Sequence, residues 1–366
     1  MFRNRRLKEY PRSPYMKTSY AKDMVMSAFD TPFRKKCMLA GILIFVLFPF
    51  FSPPFFVHIS NLIAIACMGA MALNLVVGNA GLLSLGHAGF MCAGAFTVGI
   101  LNVNLGMPIW ITMPSAIFVG MILGFISSLP SLRLKGLYLA ISTMCMHYII
   151  IYFAREYQFF AGQSYGIQLK DPNIGIVVLS DKKTWYFFLW FFVWLTGVFI
   201  ANLLRSRPGR AWNAIRERDI AARVTGISIG WYKIFAFVVG TGITSMAGGF
   251  YAYYTNLASV DEYDFLLTVY YLAMIIVGGL GFVFGSIMGA FLITLIPYSL
   301  IYLFGFWEVS PYIKRYFWAF QSSIFGLLII VFLLSEPLGL VEIWKRIRTY
   351  FQLWPFKYKS LINKYK

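Results

Sequence analysis

The sequence predicts an all-α protein, a polytopic membrane helix bundle of about ten transmembrane segments, some short or broken, with both termini on the inner side. Three observations carry this. First, 59% of the 366 residues are hydrophobic and 13% charged, against roughly 25% charged in a soluble domain. Second, apolar runs of about 20 residues, the length that crosses a bilayer core, fill most of the chain. Third, the charges are sorted. Of 32 basic residues, ten precede Met38, seven lie in Arg205–Lys233 and seven follow Glu342.

The elements follow in order. Residues 1–37 form a basic cytoplasmic segment, too long for the charged region of a signal peptide. Met38–Val57 lacks a small-residue cleavage site and reads as the first span. Ile59–Gly78 and Leu82–Leu101 adjoin, so this pair is broken or re-entrant. Pro108–Leu129, Gly136–Phe153, Trp185–Leu204 and Ile234–Thr255 follow, then Leu267–Gly281, which is short for a span, and finally Phe284–Leu303 and Phe317–Leu334. Residues 38–335 are thus the transmembrane domain, with an inside loop at 205–233, and 336–366 form a basic cytoplasmic tail.

The loop charges agree with an N-in, C-in path. Arg133, Lys135 and the Arg205–Lys233 loop fall inside, while Asp261, Glu262 and Asp264 fall outside, as the positive-inside rule requires. Ala154–Thr184 falls outside with four basic and three acidic residues. The net charge of +18 is therefore explained by orientation, and membrane lipid, not nucleic acid, is the implied partner. The four cysteines, at 37, 67, 92 and 145, form no CxxC pair and imply neither a disulfide framework nor a zinc site.

Asn74–Gly94, reading NLVVGNAGLLSLGHAGFMCAG, is apolar yet carries Asn74, Asn79, Ser84 and His87 among several glycines. An anchor helix needs none of these. Polar groups at membrane depth are costly unless they pair or line a cavity, and a glycine-interrupted apolar segment marks a transporter's core. The candidate substrate path is Asn74, Gly81, Ser84, Gly86 and His87, with Gly279 and Gly281 from a second glycine-rich segment, Val277–Ala290. Gly78, Gly81 and Gly89 are matched by Gly278, Gly281 and Gly289 at a constant offset of 200, the pattern of an internal repeat. His87 reads either as a proton relay or, more simply, as a neutral histidine hydrogen-bonded across helices near Ser84. His58 and His147 read as structural.

The Arg205–Lys233 loop has internal order. Pro208 and Gly209 break the preceding span. Ala211–Arg223 has helical periodicity, with Ala211, Ile215 and Ala222 on one narrow face flanked by Arg216 and Arg223. Asp219 precedes Arg223 by four residues, the favourable acid-first order, and Gly226 stops the helix. The loop is either a docking element or an ordinary basic inside loop.

The spacing Ala221-Ala222-x-x-x-Gly226 resembles the EAA loop by which ABC importer permeases dock on their ATPase. The position of that family's glutamate is Ile220 here, with Asp219 beside it. Together with NLVVGNAGLLSLGHAGF, LRLKGLYLAISTM (Leu132–Met144), GRAWNAIRERDIAARVTGI and VGGLGFVFGSIMGA, the chain resembles, from about Asn61 to Leu300, the permease subunits of branched-chain amino acid importers of the LivM type. The family's T-G-G-S-x-G loop is Ala161-Gly162-Gln163-Ser164-Tyr165-Gly166 here, a departure in an external loop.

The resemblance implies a permease for a small amino acid, leucine, isoleucine or valine, in a bacterial plasma (inner) membrane. It implies a second, LivH-like permease subunit, two ABC ATPase subunits and an extracytoplasmic solute-binding protein. Arg216, Asp219, Ala221, Ala222 and Gly226 would be the ATPase-coupling residues. No P-loop, HExxH or kinase signature occurs, so this chain is not itself an enzyme. It would hold no cofactor, and ATP would be bound by partner subunits. Gly162-x-Ser164-x-Gly166 fits a hydrolase elbow, but without the strand, helix and acid–base partners that elbow needs. An ion-coupled secondary transporter is the alternative. It calls for ionisable residues within spans, where only His87 and His147 occur.

Overall fold

The computed structural model describes residues 45–306 except 135, 163, 164 and 173–180, the helix Leu340–Leu353, and the isolated positions 43, 323, 326, 327, 330, 331 and 339. The chain divides into two compact units, Pro54–Trp344 and the combination of Met1–Pro53 with Lys345–Lys366. The first contains the bundle.

Helix α1 (Pro54–Asn74) starts at the second proline of Ser52-Pro53-Pro54. The expected first span, Met38–Val57, is therefore interrupted at 52–53. Proline has no N–H to donate and is tolerated where a helix begins, so the sequence turns there and not at His58. Helix α1 runs into a π-helical turn, Leu75–Asn79. The resulting 26-residue span is about 39 Å long at 1.5 Å per residue, longer than the ~30 Å hydrocarbon core. Residues 80–86 are not helical.

Then come α2 (His87–Leu105), α3 (Ile109–Ser128), α4 (Leu137–Phe160), the strand β1 (Ile167–Gln168) and α5 (Lys182–Arg205). Two short helices follow, α6 (Arg207–Glu217) and α7 (Asp219–Val224). Next are α8 (Ile229–Thr255), β2 (Leu257–Ala258), a 3-10 turn Val260–Tyr263, α9 (Phe265–Gly278) and α10 (Val283–Phe306). The last described helix is α11 (Leu340–Leu353), in the expected basic tail. Among the described residues, six helices are long and apolar enough to cross a membrane, and α9 and the apolar part of α10 are shorter. Residues 1–37 and the expected span Phe317–Leu334, apart from the isolated positions named above, lie outside the described residues.

The helices fall into two layers. In α1, 89% of the apolar window is buried within the protein, and α2 and α8 are similar, whereas α5 buries only 22% of its window and α3 and α4 are also largely exposed. Nearly all of α1 therefore meets protein, and so does most of α2 (67%) and α8 (72%). Small residues permit it. A Cβ at Gly94 of α2 would collide with the Ser245 carbonyl of α8, and one at Gly248 of α8 with the Met91 carbonyl of α2. Ser245 Oγ donates to the Phe90 carbonyl at 2.8 Å across the same contact. Gly120 and Gly124 of α3 lie on Ser245 and Thr241 of α8. Lipid gives no hydrophobic drive to pack helices, so this backbone contact, with its added hydrogen bond, is what holds α2, α3 and α8 together.

The two ends of the bundle differ. At one end β1 pairs antiparallel with β2, Ile167 opposite Ala258. The Leu169 N–H donates to the Asn256 carbonyl (3.0 Å) and the Lys170 N–H to Asn102 Oδ1 of α2 (2.9 Å). At the other end lie α6 and α7.

Candidate functional site

The first break begins where α1 widens. The Ala80 N–H reaches back to the Leu75 carbonyl (3.1 Å) and the Leu82 N–H to Val76 (3.0 Å). Gly81 turns the chain with φ +69°, a conformation that costs other residues about 1–2 kcal/mol. The chain then enters α2, whose first N–H groups lack partners within the helix. Side chains of other helices serve both the approach and the helix: the Leu85 N–H, just before α2, donates to Thr143 Oγ1 of α4 (2.9 Å) and the Ala88 N–H of α2 to Thr268 Oγ1 of α9 (3.0 Å). Gly86 is where backbones touch, since a Cβ there would lie 2.7 Å from the Thr143 carbonyl oxygen.

Ser84 and His87 are buried. His87 Nδ1 lies 3.4 Å from Thr244 Oγ1 of α8, and its ring packs on Tyr271 at 4.5 Å. The cross-helix hydrogen bond thus goes to Thr244. His87 Nε2 is buried without a partner among the described residues.

The second break lies between α9 and α10. Gly279 and Gly281 have φ +119° and +86°. Asn74 and Asn79 hold this break from the first one. The Gly281 N–H donates to Asn74 Oδ1 (2.9 Å), and Asn79 Nδ2 donates to the Gly281 carbonyl (3.1 Å). Asn74 Nδ2 donates to the Phe282 carbonyl (3.0 Å) and to Ser286 Oγ (2.7 Å). Two broken backbones with groups to satisfy are joined by two asparagines.

The inside loop departs from the expected single helix over Ala211–Arg223. Arg218 is extended (φ −156°, ψ 110°) and splits it into α6 and α7. Trp212, fully buried, is the reason α6 is anchored separately. Its Nε1 donates to the Tyr232 carbonyl (2.8 Å) and its ring stacks on Phe235. Ala211 and Ile215 are buried on α6 and Ala222 on α7, so the face expected of one helix is divided between two. Asp219 opens α7, where an acid suits the helix dipole, and lies 3.4 Å from Lys233 Nζ. Gly226, at φ +83°, closes α7 with the Ile227 N–H on the Ala222 carbonyl (3.1 Å) and the Gly226 N–H on Arg223 (3.0 Å), the paired bonds of a Schellman cap. Ala221 faces outward, and Ile220 and Val224 stand 80% and 83% exposed.

Sequence reasoning kept the path residues and the coupling residues apart, but the structure brings them together. A Cβ at Gly81 would lie 3.2 Å from Arg216 Cγ, and one at Gly281 would lie 2.6 Å from Arg216 Nη1. The only sequence signal for this was the common offset of Gly81 and Gly281. Glu262 was read only as an external charge. It is half-buried beside Tyr251 and Tyr263; burial holds its carboxyl above the usual carboxylate range, and the Tyr251 hydroxyl pulls it back.

A bundle of spanning helices, interrupted twice by glycine and carrying a folded loop at that same end, defines a transport permease. The sequence model of the family described as the permease component of the branched-chain amino acid transport system matches residues 55–333. The chain belongs to that family. It is 28% identical over 343 residues to the high-affinity branched-chain amino acid transport system permease protein LivM of Salmonella typhimurium, covering 87% of this chain and 77% of that one. The figures are the same for LivM of Escherichia coli. A probable LivM of Methanocaldococcus jannaschii is 25% identical over 293 residues, 75% of this chain and 82% of its own. No solved structure matches the chain. The protein is thus a LivM-like, multi-pass transport subunit without a catalytic role, and this type of permease works within a complex of several subunits.

Proposed function

We propose that the chain pairs with a second, LivH-like permease subunit in a bacterial inner membrane, and that leucine, isoleucine or valine crosses beside the two glycine breaks. A solute-binding protein delivers the amino acid at the β1–β2 end, which is external. Two ATPase subunits grip the α6–α7 loops and bind the ATP; this chain needs no cofactor. Both termini and the α6–α7 end lie inside, with about ten crossings in all. In this reading Asn74, Ser84, Gly86 and His87 hold the breaks in shape, being buried. Gly81, Gly279 and Gly281 form the turns, and the exposed Leu83 and Leu280 beside them present the apolar wall that an aliphatic side chain needs.

The observation that carries the coupling role is the outward pair Ile220 and Val224. Two large apolar side chains one helical turn apart, on a basic loop at the inner face, fit a protein partner better than water. Asp219, Ala221, Ala222 and Gly226 shape that helix. Gly226 provides the test. A Cβ there meets nothing within 4 Å, so the first atom of an added side chain has open space within this chain. Gly226→Ala and Gly226→Trp share the backbone strain, but only the second adds volume. The expected result is leucine uptake near parental for Gly226→Ala and lost for Gly226→Trp, with both inserted normally. Parental uptake by Gly226→Trp, with the ATPase still bound, would sink the docking assignment.

A further inference from the structure

We infer that Arg216 is the positioning residue through which the inside loop moves both glycine breaks as one unit. This rests on the importer reading above and names the residue that would transmit the motion. The α6 helix packs against the π-helical turn of the first break, and its Arg216 reaches a glycine of each break. Its stem covers Gly81, with Cγ 3.2 Å and Cα 3.4 Å from where a Cβ would stand. Its guanidinium reaches Gly281, with Nη1 2.6 Å from the corresponding point. Both glycines have positive φ, so both lack a side chain where the arginine lies.

Two further features make this a linkage and not a passing contact. The breaks are already tied to each other by Asn74 and Asn79 through Gly281, so a displacement at either is felt by both. The base of α6 is fixed by Trp212, buried and bonded to Tyr232 at the start of α8, so Arg216 moves with its helix and not independently. Among the described residues Arg216 has no acidic partner, so no local ion pair accounts for its placement. A long side chain laid over two turns that could each take a second backbone conformation is the kind of discrete element through which coupling passes.

The experiment uses the whole complex, reconstituted in vesicles with its ATPases and binding protein, and reads leucine molecules transported per ATP hydrolysed. Arg216 is exposed, and for Arg216→Ala assembly and hydrolysis are measured alongside transport, so that the ratio is read only on assembled, hydrolysing complex. The transport ratio should fall by about tenfold or more, as loss of a coupling free energy does. Arg216→Lys keeps the stem over Gly81 and loses the fork over Gly281, so its ratio should be intermediate. A role confined to stability would lower assembly and leave the ratio unchanged. If Arg216→Ala does not assemble, Arg216→Lys decides alone. A parental ratio in the variant that assembles overturns the inference. Failure of the importer reading looks different, since the parental complex would then bind no ATPase or transport no leucine.

Discussion

The two glycine breaks share a register and differ in what their glycines touch. In the second, only Gly281 reaches far along the chain, to Gly78 and Arg216, and the flanking glycines make local contacts. A Cβ at Gly278 would strike the Gly285 carbonyl, and one at Gly289 the Met274 carbonyl, so the glycines let α9 and α10 close as a tight hairpin. In the first, the contacts are distant. Gly78 meets Gly281, Gly81 meets Arg216, Gly86 meets Thr143 and Gly89 meets His147. One break is a folded corner and the other a junction of α1, α2, α4, α6 and the second break. The same residue type thus serves construction in one place and communication in the other.

The largest expected effect tests that division. Gly289→Leu must push backbone from backbone, and overpacking of this kind costs about 1–3 kcal/mol or more. It should lose the folded complex on size-exclusion chromatography. Gly81→Leu, whose added side chain first meets that of Arg216, should leave the complex assembled while leucine uptake falls at least about tenfold, because the junction and not the hairpin is disturbed. Should both variants fail in the same way, the two breaks are not different in kind.

A smaller effect concerns the asparagines. Asn74 makes three hydrogen bonds to the second break and Asn79 one. At about 1 kcal/mol for each, Asn74→Ala should lower thermal stability by about three times as much as Asn79→Ala. Equal shifts in Tm would show that the junction is not held in this order.

The smallest effect is on orientation alone. In a background lacking native cysteines, Leu83→Cys and Leu280→Cys, one beside each break, should react with an impermeant thiol reagent only in opened cells. Asp261→Cys should react in intact ones. Labelling of the two breaks from opposite sides would end the comparison, since both must face the same loop.

Much of the architecture was legible because it is written in long periods. Apolar runs and charge sorting located α2, α3, α5 and α8 to within about five residues at each end, while α4 runs on to Phe160, past its expected end at Phe153. Glycine density located both breaks, and helical periodicity on the inside loop grouped Ala211, Ile215 and Ala222, all of them buried. What was not legible depended on contacts far apart in the chain. Arg218 breaks the inside loop into two helices because Trp212 is anchored under Tyr232, and no local propensity marks that. The pairing of His87 with Thr244, of Asn74 with Ser286, and the reach of Arg216 over Gly81 each join residues more than 130 positions apart, and Arg216 and Gly281 are still 65 apart. Hydropathy also carried the first span past Ser52-Pro53-Pro54, because Phe50, Phe51, Phe55, Phe56 and Val57 on either side keep the run apolar across it.

The short β1–β2 ladder has a mechanical consequence. Besides its own pairing it ties α2 through Asn102, and Asn256 Nδ2 donates to Asp171 Oδ1 at 2.9 Å. Each such bond resists displacement by only about 1 kcal/mol, but together they staple the tips of α2 and α8 to the segment leaving α4. A pair of tweezers joined at one end opens widest at the other. A bundle stapled in this way would swing least at the β1–β2 end and most beneath α6, so a small push on that loop would be magnified by leverage and not by any large rearrangement of the bundle itself.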